Sequence, residues 1–239
     1  TKISTMTYES IKKLQNAMKQ KGRSVAYIHR FFSTLRMIAK YGKALQIQPA
    51  REVSETLSAM KFQMSPARQV APTREQVYTI IHAADASGLK AFALGIMIQY
   101  EFALRAVDVR GHWLQTDEQE GGIVLDGTRW QDGLTWDMID NDLTRMEKLI
   151  SKTRKSLTEP YIFDLTGTPE IQARLKEQRP KDAVGPVIIN PRSGLPYTVH
   201  AWGKTWSRLR KRTGLPSEIR MMDVRAGAVT EAKSLGADP

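Results

Sequence analysis

Three short stretches carry side chains whose types suit the chemistry of a phosphate group. The first is Ala103-Leu104-Arg105-Ala106-Val107-Asp108-Val109, the second Ser151-Lys152-Thr153-Arg154-Lys155, and the third Met222-Asp223-Val224-Arg225-Ala226-Gly227. The guanidinium groups of Arg105 and Arg225 are planar, permanently cationic and bidentate, which matches phosphate oxygens. A lysine on a strand turn, such as Lys152, has the chemistry of a general acid. Taken singly, each stretch is weak. Arg105 and Asp108 stand at i,i+3, the spacing of an ordinary surface pair on a helix. Lys152 also fits an exposed strand-end lysine, and Lys155 is a near neighbour.

The elements that must position these residues follow from periodicity. In the first third, Ile11, Leu14 and Met18 recur at helical spacing from Tyr8 to Lys21, with Gly22 as the stop. Ser24 reads as an N-cap for a second helix that ends near Gly42, with Val25, Ile28, Phe32, Leu35 and Ile38 as its stripe. Pro49 opens a third helix carrying Val53, Leu57 and Met60. Between Lys61 and Pro72 the periodicity fails, and Ser65-Pro66 and Ala71-Pro72 bracket a linker. Thr73 to Gln76 fits a capping box, and a new helix follows. Ala91 to Tyr100 is an apolar, buried helix, and a further helical turn carries Arg105 and Asp108. Strand-like runs at 122–125, 134–138, 143–150 and 161–165 are separated by Gly, Asp and Asn and read as antiparallel hairpins. A helix from about Pro169 to Glu177, a short strand from Pro186 to Asn190, a helix from Val199 to Arg212 and a last helix from about Met222 complete the chain. The region from Gly111 to Trp136, with Trp113, Trp130, Trp136 and the acidic run Asp117 to Glu120, reads as an elaborated loop or extra hairpin whose tryptophans pack. The fold class expected is mostly α with a small antiparallel β-sheet (α+β). It comprises an N-terminal all-α basic domain at 1–65, a linker at 66–72 and a mixed domain at 73–239.

Charge is distributed unevenly across that division. The 239 residues carry a net charge of +11. Residues 1–70 hold 13 Lys and Arg against 3 Asp and Glu, so nearly all the excess lies there. A compact segment this basic calls for a polyanion, with DNA or RNA the default and a solvated basic face the bland alternative. Lys12, Lys13, Lys19, Arg30, Arg36 and Lys40 are the candidate phosphate contacts in this part. Arg208 and Arg210, on the basic helix near Gly214, are further candidates. No apolar run is long enough to span a bilayer, so no membrane partner is expected. There are no cysteines, and the four histidines are scattered. No metal is expected, since no histidine pair stands at ligand spacing, and no cofactor, since neither a Gly-x-Gly-x-x-Gly nor a P-loop pattern occurs.

The order of an arginine turn, a hairpin lysine and an xDxR helix start, behind a basic helical domain and a linker, resembles the tyrosine recombinases, the phage-integrase family. The resemblance covers essentially the whole chain: 1–65 is similar to the core-binding domain and 73–239 to most of the catalytic domain. It implies an enzyme that breaks one strand of double-stranded DNA through a 3′-phosphotyrosine intermediate and then rejoins strands. Arg105 and Arg225 match the two clamp arginines, aimed at charge developing on the phosphate. Asp108 stands where an acidic supporting residue is usual, and Lys152 matches the lysine that protonates the leaving 5′-oxygen. The resemblance further implies a homo-tetramer on DNA, possible accessory DNA-bending proteins, and a cytoplasmic, nucleoid-associated setting in bacteria or phage infection.

Two departures stand out. The family's usual His-x-x-Arg has Met222 at its histidine position, and Met222 can neither donate a hydrogen bond nor move a proton. The seven tyrosines all precede Arg225, so none occupies the nucleophile position. The expectation is a recombinase whose catalytic domain is cut short before its tyrosine, inactive in this form. A non-catalytic DNA-binding remnant of the family and a type IB topoisomerase-like enzyme are the alternatives.

Overall fold

A computed structural model of the chain describes residues 6–115, 122–153, 156, 157 and 159–237. The chain divides into two compact units, Thr1–Arg68 and Gln69–Pro239. Among the described residues, no helix is long and apolar enough to cross a membrane.

The first unit is built from α1 (Tyr8–Gln20), α2 (Val25–Ala44) and α3 (Gln48–Ala59). Side-chain oxygens of Thr7 and Ser24 cap α1 and α2, accepting the N–H groups of Ser10 and Tyr27. Ile11, Ile28, Phe32, Val53, Leu57, Met60 and Phe62 form its core, in which Phe62 stacks on Phe32 with ring centroids 4.2 Å apart. The inward stripe of α2 differs from the sequence expectation. Val25 and Ile38 are 38% and 54% exposed, while Ala39 and Gly42 face inward. The helical period carries 28, 32, 35, 39 and 42 along one face and turns 38 outward. Small residues are needed there because the helices nearly touch: a Cβ on Gly42 would lie 2.6 Å from that of Ala50.

The second unit is α+β with small antiparallel sheets. It opens with α4 (Arg74–Asp85), started by the capping box that Thr73 and Gln76 form. Next comes α5 (Lys90–Glu101), whose residues from Phe92 to Tyr100 are all buried, and then the short α6 (Ala106–Arg110). Strands β1 (His112–Gln115), β2 (Val124–Leu125) and β3 (Thr128–Gln131) form a sheet in the order β1-β3-β2, with Trp113 opposite Trp130. β4 (Arg145–Lys148) pairs with β5 (Tyr161–Asp164). After α7 (Pro169–Gln178), β6 (Ile189–Asn190) pairs with β7 (Leu195–Pro196), and α8 (Val199–Arg212) and α9 (Val224–Ser234) follow.

Two details depart from the sequence reading. Residues 134–138 are not a hairpin strand: Leu134 and Trp136 are buried, but Trp136–Met138 is a 3-10 turn. The segment pairs only through a single bridge, Thr135 with Pro186. Pro186 has no N–H to extend a ladder. The region read as a loop or extra hairpin is the three-stranded sheet, with Trp130 and Trp136 buried as packing residues. The acidic run 117–120 lies outside the described residues.

Candidate active site

The turn that presents Arg105 is a helix C-cap. The N–H of Leu104 donates to the carbonyl of Gln99 at 3.0 Å and that of Ala103 to Tyr100 at 3.1 Å. This is a Schellman closure of α5, normally reserved for glycine at its left-handed position. Here the residue is Ala103, at φ +48°. Buried Leu104 anchors the turn, and Arg105 becomes the N-cap of α6.

One turn further on, Asp108 is fully buried. Its Oδ1 accepts the backbone N–H of Ser151 at 2.7 Å. α6 is thereby tied to the turn that leaves β4, the same turn that carries Lys152. The other carboxylate oxygen, Oδ2, has no hydrogen-bond partner among the described residues.

The third contributor, Arg225, lies in the first turn of α9. The approach to that helix is held by main-chain acceptors. Arg210 donates to the carbonyls of Ser217 at 2.6 Å and Ile219 at 3.1 Å, and the Trp206 indole donates to Ile219 at 3.3 Å. The Asp223 carboxylate accepts the N–H of Arg220 at 2.8 Å. α9 then lies so close to the start of the unit that a Cβ on Gly227 would stand 2.2 Å from the carbonyl oxygen of Pro72. Only glycine permits that approach.

Arg105, Asp108 and Arg225 meet around one cavity of about 320 Å³. Ile150 and Thr153 of the turn close one side, and Tyr161 and Phe163 of β5 another. The rings of Phe102 and Phe163 stand 5.4 Å apart beside it. Burial lowers the Arg225 pKa from its usual value, as does the neighbouring charge of Arg105, while Asp108 opposes both. An arginine remains charged throughout. The cavity therefore presents two fixed cations, with a carboxylate behind them, to any anion that enters.

The other sequence-selected residues fall in different places. Lys152 is exposed on the turn between cavity-lining Ile150 and Thr153, and does not itself line the cavity. Arg154 and Lys155 lie outside the described residues. Lys148, on the same hairpin, is buried and donates to the carbonyls of Asp132 and Gly133 at 2.8 and 3.0 Å. Met222 is 65% exposed and is absent from the cavity wall. In the first unit, Lys12, Lys13, Lys19, Arg30 and Lys40 are exposed. Arg36 is turned inward: it donates to the carbonyls of Leu57, at 2.9 Å, and Met60, and lies 4.9 Å from the Phe62 ring centroid. Arg208 is exposed, whereas Arg210 is engaged with the main chain as described. Sequence reasoning passed over Tyr161 and Phe163 as wall residues, because a strand's facing is invisible until its hairpin partner is known; Thr153 stood in the Lys152 stretch but was given no role there. Among the described residues, no group of three or more His, Asp or Glu is placed to hold a metal ion.

No family model matches the chain, and no curated protein matches it in sequence. Solved structures do. A lambda integrase dimer bound to a COC′ core site is similar with a TM-score of 0.68 at 16% identity, over 98% of this chain and 76% of that one. A lambda integrase tetramer bound to a Holliday junction gives 0.65 at 15%, over 98% of this chain and 62% of that one. The Tn1549 transposon integrase in complex with circular intermediate DNA gives 0.62 at 17%, over 100% and 76%. The chain has the fold of these integrases.

Proposed function

We propose that this chain is the DNA-binding and phosphate-clamping part of a tyrosine-type site-specific DNA recombinase. The observation that carries the reading is the meeting of Arg105, Asp108 and Arg225 at one cavity from distant parts of the second unit. The shared fold with DNA-bound integrases supports it. Residues 1–65 act as the core-binding domain, 66–72 as the linker and 73–239 as the catalytic domain short of its nucleophile.

In this reading Arg105 and Arg225 hold the non-bridging oxygens of the scissile phosphate, where charge accumulates as the phosphorus becomes five-coordinate. A tyrosine from outside residues 1–239 gives its phenolic proton to solvent water as it forms the new O–P bond, while the bond to the 5′-oxygen breaks. Lys152, on the turn held by Asp108, moves in to give its proton to that oxygen. Asp108 positions the turn and takes no proton. The Met222 position supplies no hydrogen bond. Lys12, Lys13, Lys19, Arg30, Lys40 and Arg208 contact DNA phosphates, giving affinity that falls with salt. Arg36 and Arg210 have structural duties instead. Assembly on DNA is as a tetramer, with DNA-bending proteins as possible accessories, in the nucleoid of a bacterial or phage-infected cell.

The test is duplex binding across a salt series, with a nicked substrate that traps phosphotyrosine adducts. The expected result is steeply salt-dependent binding with no covalent adduct, weakened by Arg105→Gln and Arg225→Gln. Absence of duplex binding overturns the reading, and a covalent adduct overturns the assignment of the nucleophile outside these residues. The second reading, a remnant that grips DNA without chemistry, is favoured by exposed Met222 at the position of the usual histidine. Adding a segment with the missing tyrosine would leave such a remnant inactive. Relaxation of supercoiled plasmid without strand exchange would instead mark a type IB topoisomerase-like enzyme.

A further inference from the structure

A second cluster of cations lies on the same unit and shares no residue with the Arg105–Arg225 cavity. Lys204, Arg208 and Lys211 fall at i, i+4 and i+7, which places them along one face of α8. Arg192 stands on the turn between β6 and β7. Together with Asn190 and Tyr197 they line a cleft of about 500 Å³. No carboxylate lines it, and none of the four cations has an ion pair among the described residues. Like charges at i,i+4 on a helix repel each other, so the arrangement is unfavourable unless something anionic offsets it.

The floor of the cleft is the second observation. Tyr197 is 1% exposed, and its ring packs against Phe92 and Trp202 with centroids 5.9 and 5.1 Å away. Its hydroxyl has no hydrogen-bond partner among the described residues. Burying a polar group without a bond is unfavourable, so such a group points to a ligand or a bound water. Burial pushes its pKa up to about 12 against the opposing charges of Arg208 and Arg192, so the hydroxyl stays protonated and remains a donor. The Asn190 carbonyl oxygen already accepts the N–H of Arg192 at 3.1 Å, which leaves its amide N–H groups as the free end. The cleft thus offers cations and donors and no strong acceptor, the chemistry that fits a phosphate oxyanion. The run from Lys204 to Lys211 extends about 10 Å along the helix, longer than a single phosphate group.

We propose that this cleft is a second phosphate-binding site, separate from the arginine cavity, that takes backbone phosphates of the DNA this protein binds. The proposal rests on the DNA-binding reading above; free phosphate offers the same chemistry from another source.

The experiment compares wild type with a triple variant, Lys204→Gln, Arg208→Gln and Lys211→Gln, and with Tyr197→Phe. Duplex affinity is measured against salt, and inorganic phosphate binding by calorimetry on the protein alone. The triple variant is expected to lower the slope of log affinity against log salt by about 1 for each cation removed, equally for unrelated sequences. Tyr197→Phe is expected to weaken binding several-fold with a melting temperature at neutral pH no lower than wild type. If wild type binds DNA and neither variant alters slope or affinity, and phosphate does not bind, the cleft proposal falls while the recombinase reading stands. If wild type does not bind DNA, the recombinase reading falls. Saturable phosphate binding lost in the triple variant would then keep the cleft with free phosphate as its ligand, and no phosphate binding would overturn both.

Discussion

The carboxylate of Asp108 accepts the backbone N–H of Ser151 at 2.7 Å, joining the helix behind Arg105 to the turn that carries Lys152. The two are far apart in sequence and belong to different elements. Asp108 is fully buried, so the bond is shielded from competing water. Replacing it by alanine leaves the Ser151 donor without its partner. Asp108→Ala is expected to cost about 1–3 kcal/mol in urea unfolding. Asp108→Asn keeps an acceptor and should recover part of this. Equal loss in both variants would show that the carboxylate's charge, rather than the tie to Ser151, carries the stability.

Arg36 and Lys40 lie on the same helix and look alike in sequence, yet their environments differ. Arg36 donates to carbonyls at the end of α3, where the last turn of a helix leaves acceptors without intrahelical partners. Arg36→Ala should destabilise the first unit by about 1–3 kcal/mol and leave the salt slope of DNA binding nearly unchanged. Lys40→Ala should leave stability within about 0.5 kcal/mol and lower the slope by about 1. A reversed pattern would reassign both residues.

Ala103 occupies a left-handed position in the turn before Arg105, at φ +48°. A side chain there carries a steric cost of roughly 1–2 kcal/mol that glycine avoids. Glycine also gives back entropy to the unfolded chain, so the net gain is smaller. Ala103→Gly is expected to raise the melting temperature slightly, with DNA affinity unaltered. A fall in melting temperature would mean that the Ala103 methyl contributes packing worth more than the strain.

The Tyr197 phenol has a folded-state pKa of about 12, above its ordinary value of 10.0. Below pH 10 the hydroxyl is neutral in both folded and unfolded chains, and the fold keeps its full stability. As pH rises from about 10 towards 12 only the unfolded chain ionises, so stability falls, by on the order of 2–3 kcal/mol. Burial raises the Tyr78 and Tyr100 pKa values in the same direction. Tyr197→Phe should therefore remove part of the alkaline loss, read as a smaller drop in urea midpoint between pH 9 and pH 11.5. An unchanged drop would place the titration elsewhere.

What could be read in advance followed from local physics. Thr73 and Gln76 cap their helix because the spacing alone sets the geometry, and the long apolar run of α5 admits only burial. The three chemically suggestive stretches were visible as residue types, but not their convergence, which depends on where α9 docks. Strands of two to four residues leave too short an alternation to read: β1 and β3 pair Trp113 with Trp130, and neither shows a clear inward face in sequence. Arg36 and Arg210 illustrate the remaining limit. A basic residue on a basic helix looks solvent-facing until a carbonyl several turns or another helix away is found to claim it.

The contact between Gly227 and the carbonyl of Pro72 has a consequence for how the second unit comes to be folded. These positions lie far apart in sequence. Closing so long a loop carries an entropic cost that only the finished packing offsets. Long-range closures of this kind slow folding. During synthesis, the segment at 72 emerges well before the helix at 224–234, against which Gly227 places it. Arg225 is therefore delivered to Arg105 only after the residues between them have been made. The cavity lined by Arg105 and Arg225 cannot close before α9 is made, and a nascent chain stalled before α9 carries the basic first unit without it.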